Sequence, residues 1–219
     1  MAASDAALKD LLFRLADDKL IHGHRMSEWT GFGPVLEEDI AFASMAQDAL
    51  GHAESYYRLL HGMGEGDPDQ TAFGRQPETF RCCQFVELPI GDYAFSLMRH
   101  FLFDMAESVR LEALTSSSHL DLKELAKRIS REAKYHQLHA KTFIKQLGGA
   151  TEESHERMKA ALAEAWPMAF SIFEPTPYDD ELADTGVFAR EEELEARWVE
   201  RVRPILNEGG LEILDSADK

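Results

Sequence analysis

Apolar positions recur three and four residues apart in almost every long segment of this chain, and no segment alternates apolar and polar positions long enough to make a strand. The pattern predicts an all-α protein. Leu8, Leu11, Leu12 and Leu15 form one stripe on a first helix over about 5–29, which stops at TGFGP, where two glycines and a proline break it. Pro34 opens a second helix with Glu37, Glu38 and Asp39 near its positive end; it carries QDALGH and ends near HGMGEGDPD. The next stretch, about 64–92, is rich in Gly and Pro and reads as a crossover, with a short helix around Cys82. A third helix over about 92–117 and a fourth from about 120 to the Gly148–Gly149 stop complete the set.

Two long helices, a long connection and two more long helices joined by a short turn are what a ferritin-like four-helix bundle with one crossover requires. The reading is one domain over 1–219, with the core bundle at about 5–149 and additional helices at about 151–206. Thr151 is the N-cap of a fifth helix to about residue 170, presenting Met158, Ala161, Leu162, Ala165 and Phe170. FEPTPYDD breaks the pattern. A last helix over about 190–205 shows Leu194, Trp198, Val202 and Ile205 on one face, suited to packing on the bundle or on another subunit.

Composition narrows the function classes. The 219 residues carry 40 acids against 23 Lys and Arg, a net charge of −17, which repels phosphate backbones and anionic lipid. Nucleic acid and membrane are therefore not expected partners, and the cytoplasm is the expected compartment, because no run is long and apolar enough to span a bilayer and MAASDAALKD lacks the features of a secretory signal. Cys82 and Cys83 are adjacent, which fits neither a zinc spacing nor a cross-link between distant segments, and they read as reduced, buried thiols. The dense acidic run in 174–200 reads as a solvated face. GMGEGDPD has no preceding strand and is a loop rather than a phosphate cradle. Ser116, Ser117 and Ser118 read as helix-end residues, and Trp29, Trp166 and Trp198 as core or interface positions.

The candidate chemistry lies at the histidines. Leu122, Leu125, Ala126, Ile129, Ala133, His136, Ala140, Phe143 and Leu147 make one continuous stripe on the fourth helix, so His136 points inward. On the second helix Met45, Ala49, His52 and Tyr56 align likewise. A Glu-x-x-His pair serves a di-iron bundle because residues three apart share a face and reach the same ion pair. Counting back three from His52 and His136 gives Ala49 and Ala133, so both ligating glutamates are missing. The other helices offer Glu28, with His24 one turn earlier, and Asp104, with Glu107 ranked second. Asp48 and Glu132 lie about 100° around the helix from the vacated positions and read as neighbours rather than ligands. His139, beside the main stripe, reads as a rim or interface residue.

HRMSEWTG, LEEDIAFASMAQDALGHA, VELPIGDYAFSLMRHFLFD and REAKYHQLHAKTFIKQLGGATEESHERMKAALAEAW together resemble the C subunit of the bacterial phenylacetyl-CoA 1,2-epoxidase, a ring-epoxidising monooxygenase, over about residues 11–173. The resemblance implies a ferritin-like subunit in aerobic phenylacetate degradation that pairs with a related catalytic A subunit. It also implies that the A subunit holds the di-iron centre and works with a separate reductase, and that no cofactor is held here. On that family's ligand pattern Glu28, His52, Asp104 and His136 match, as vestigial metal candidates, whereas Ala49 and Ala133 depart from it. The leading expectation is a non-catalytic structural subunit that joins the A subunit and the other subunits of the complex, or forms a homodimer when alone. The alternative is a metal-binding protein in which Glu28, His52, Asp104 and His136 hold one Fe(II) or Mn(II) or form an unusual di-metal site.

Overall fold

The computed structural model describes residues 2–213, all of them helix, turn or loop. Helix α1, Asp5–Ser27, is capped by Ser4, whose Oγ accepts from the Ala7 N–H, and α2 is Leu36–Gly62. The two form a hairpin through a turn in which Gly31 takes φ +84°, a conformation that a side chain would strain. The crossover contains α3, Pro68–Phe73, a 3-10 turn at Pro77–Thr79, and α4, Gln84–Glu87. Helices α5, Tyr93–Thr115, and α6, Leu120–Gly149, form the second hairpin, and α2 meets α6 across the bundle. Then come α7, Glu152–Ala169, a 3-10 turn at Phe170–Phe173, α8, Asp179–Asp184, and α9, Glu191–Glu208.

The architecture is the expected bundle with one long crossover, and the C-terminal helices make α5 its centre. Every residue from Ala94 to Leu111 is buried, because α6, α7 and α9 all pack on α5. Trp198 anchors α9 there. Its indole is fully buried, stacks on Trp166 at 4.9 Å and donates Nε1–H to the Leu102 carbonyl at 3.0 Å, so both the ring and its polar tip are satisfied.

Three aspartates on α1 fasten the crossover to the bundle. Asp17 is fully buried and accepts from the Tyr57 hydroxyl at 2.5 Å, the Arg81 N–H at 2.7 Å and the Arg75 guanidinium at 3.1 Å. Asp18 accepts from the Cys83 N–H at 2.7 Å and from Arg110 at 2.8 Å, and Asp10 pairs with Arg81. The pattern of apolar positions is silent about such contacts.

Several boundaries differ from the sequence reading. The first helix stops at Ser27, and Val35 rather than Pro34 precedes the first residue of α2. The short crossover helix follows the cysteine pair instead of centring on Cys82. Cys83 is held extended as its N-cap, its N–H tied to Asp18. Both thiols are free and half-buried rather than buried. Burial, with Asp18 next, pushes Cys82 up to about 12, which makes it a poor nucleophile at neutral pH. The segment read as a break runs into α8, which begins at its last two residues, and α9 runs through Pro204 to Glu208 because Val202 and Leu206 keep its apolar face in the core.

Candidate polar site on the bundle axis

The stripe on α1 does not end at Leu15. Four residues on it reaches Lys19, then His22 and Met26, all buried. Lys19 Nζ lies 3.1 Å from Glu107 Oε2 on α5, with both side chains almost wholly excluded from solvent. Glu107 also faces Arg110 at 3.6 Å. Burial acts to raise the Glu107 carboxyl, but the Lys19 ammonium and the Arg110 guanidinium outweigh it and hold the group below the ordinary carboxylate range.

The histidines on α2 and α6 are tied across the bundle in a reciprocal pattern. His52 Nε2 on α2 is 2.8 Å from Glu132 Oε2 on α6, and His136 Nε2 on α6 is 3.0 Å from Asp48 Oδ2 on α2. The rings lie 6.3 Å apart, centroid to centroid. Each carboxylate stands four residues before the histidine of its own helix and reaches the histidine of the other. Burial first, then the charges of Lys19 and His136, depress His52 to about 3, so it is neutral and donates Nε2–H to the Glu132 carboxylate. Both acids keep their carboxyls half-exposed at the outer edge of the pair.

His139 is buried and bonded to Glu38 Oε2 at 2.9 Å, which corrects its reading as a rim residue; Tyr93 donates its hydroxyl to the same carboxylate. Burial lowers His139 despite that acid. A further group lies deeper. One ligand atom each from His22, His100 and Asp104 falls within 4.8 Å of the others, and all three side chains are buried. Burial drives both imidazoles far below the ordinary histidine range and raises Asp104 to about 6.

The sequence-predicted ligands are therefore not one site. Glu28 is the exposed C-cap of α1 and is bonded to Arg25 at 2.7 Å, outside the bundle axis. Glu28 was offered by its place one turn after His24 and by the family motif, while the α1 residues that do line the axis, Lys19 and His22, continue the apolar spacing from Leu15. Asp104 groups with His22 and His100, whereas His52 and His136 are engaged by Glu132 and Asp48. Ala49 and Ala133 are buried apolar positions that offer no donor. Among the described residues, no three potential ligands converge around His52 or His136. This donor set does not fit a di-iron centre, and the four-residue mononuclear site of Glu28, His52, Asp104 and His136 is not assembled.

Fold and site together define a ferritin-like helical bundle whose axial position is occupied by a lysine–glutamate pair and crossed histidine–carboxylate bonds. No helix among the described residues is long and apolar enough to cross a membrane. The chain belongs to the phenylacetic acid catabolic protein family, whose profile matches residues 1–218. It is similar to the protein of Escherichia coli (strain K12) named as the C subunit of 1,2-phenylacetyl-CoA epoxidase, with 29% identity over 201 residues, covering 91% of this chain and 81% of that relative.

Proposed function

We propose that this chain is the non-catalytic structural subunit of a phenylacetyl-CoA epoxidase complex in aerobic phenylacetate breakdown, pairing with a catalytic subunit that carries the di-iron centre. The observation that carries the reading is the crossed pair His52–Glu132 and His136–Asp48, standing where two ligating glutamates are replaced by Ala49 and Ala133. Oxygen activation at two irons needs carboxylates free to bridge and shift; here they stabilise helix packing instead.

An exposed apolar face supports the partner half of the proposal. Phe32 (78% exposed) lies in the turn before α2, Leu36 (71%) and Ile40 lie at the start of α2, and Tyr135 and Leu138 (65%) lie on α6. The buried His139–Glu38 bond ties these two helices together on their inner sides, leaving the apolar residues on their outer sides. An apolar face of this kind suits a permanent heteromeric contact. A second copy of this chain is the competing occupant when the catalytic subunit is missing.

The test is turnover of phenylacetyl-CoA by the co-purified complex carrying His52→Gln and His136→Gln together. Glutamine keeps a hydrogen-bond donor and cannot replace histidine as a metal ligand in a redox site. The expected kcat is within about two-fold of wild type. A fall of about a hundred-fold or more with the complex still assembled would assign these histidines to catalysis and overturn the proposal.

A further inference from the structure

The crossed pairs leave His22, His100 and Asp104 without a role. His22 is on α1; His100 and Asp104 are on α5, one turn apart, so their side chains emerge on the same face. All three are buried, at 1%, 0% and 4% exposure. Among the described residues, neither ring nitrogen of His22, neither of His100, nor Oδ2 of Asp104 makes a hydrogen bond, and His100 Nδ1 and Asp104 Oδ2 face each other at 3.3 Å. Buried polar groups in well-packed proteins are rarely left unsatisfied, and one such atom from each of the three residues lies within 4.8 Å of the others, which calls for a ligand.

We infer that His22, His100 and Asp104 form a mononuclear site for a divalent transition-metal ion of borderline softness, of which Zn²⁺ is the representative. His100 Nδ1 and Asp104 Oδ2 are 3.3 Å apart, close to the edge of about 3.4 Å between two ligands of a tetrahedral ion at ordinary Zn–N and Zn–O lengths. The third donor, from His22, lies within 4.8 Å of both, on a ring that stacks on Phe103 at 4.2 Å and on His100 at 5.9 Å. Two imidazoles and one carboxylate are a donor set such ions favour. The rings are neutral, as ligation requires, because burial suppresses their protonation.

Asp104 offsets one of the ion's two charges, and the neighbouring Lys19 adds none because it is already paired with Glu107. The site joins α1 of the first hairpin to α5 of the second, and its burial makes it structural. It is independent of the subunit reading, because its histidines come from α1 and α5 and not from the α2 and α6 pair.

The experiment is a Zn²⁺ titration of the full-length chain after chelator treatment, followed by calorimetry and thermal melting, with Co²⁺ absorption as the spectroscopic check. The expected result is about one equivalent bound and a higher melting temperature with zinc than without it. His100→Gln and Asp104→Asn should each weaken binding by about a hundred-fold or more and abolish the zinc-dependent rise, while the His52→Gln, His136→Gln chain binds as wild type does. Less than about a tenth of an equivalent bound by the wild-type chain would overturn the inference without reference to any variant. So would binding that survives His100→Gln and Asp104→Asn but is lost with His52 and His136.

Discussion

Lys19 and Glu107 are the residues on which the bundle axis turns electrostatically. Two charges taken out of water cost several kcal/mol each, and their mutual attraction offsets this only while both are present. Lys19→Met should therefore lower stability by about 3–5 kcal/mol in urea unfolding, because it leaves Glu107 with Arg110 at 3.6 Å as its remaining near cation. The double change Lys19→Met, Glu107→Gln should cost clearly less than the two single costs added together; strict additivity would mean that the pair does not interact. His52 gives a pH signature. Its folded pKa of about 3 lies below the unfolded value of 6.5, so its contribution is fully present above 6.5 and is lost as pH falls from there towards 3. Between pH 6 and pH 5 the wild-type chain should lose about 1 kcal/mol more stability than His52→Gln, read from denaturant midpoints. Equal losses would show that His52 is charged in the fold. The inward orientation of His52 and His136 was legible from spacing alone, and so was the alanine three residues before each. The crossed bonding was not. Asp48 and Glu132 stand one turn before the histidine of their own helix, and only the packing of α2 against α6 brings each to the other's ring.

At the scale of elements, the four long helices and the crossover could be read directly, since an apolar residue every third or fourth position survives any detail of packing. The crossover's own order could not. Its path is set by Asp10, Asp17 and Asp18, three acids on a helix whose first stripe is leucine, and an acid at an inward position carries no apolar signal. Asp17→Ala removes acceptors from Tyr57, Arg75 and the Arg81 N–H at once. Tryptic cleavage after Arg75 or Arg81 in the native chain should then rise by at least about ten-fold, which corresponds to ~1.4 kcal/mol of local opening. An unchanged cleavage rate would show that the crossover is fixed by its apolar contacts. The C-terminal helices were similarly half-legible: the face of Leu194, Trp198 and Val202 was evident, but its target, the Leu102 carbonyl on α5, is a backbone group that no residue type marks.

At the scale of the whole molecule, a net charge of −17 and an exposed apolar face at α2 and α6 fit a chain that works against a protein partner and not against a polyanion. The face escaped the sequence reading because Phe32, Leu36, Ile40, Tyr135 and Leu138 come from segments far apart in the chain, and each alone is an ordinary surface apolar residue. Ile40→Asp and Leu138→Asp are well placed to test it, since both side chains are exposed and their replacement should leave helicity and melting nearly unchanged. The direct measurement is sedimentation of the chain mixed with the proposed catalytic subunit at micromolar concentration. The structural-subunit proposal predicts a stable heteromer for wild type and at least about ten-fold weaker association for each substitution; no heteromer with the wild-type chain, or one that both substitutions leave intact, would contradict it.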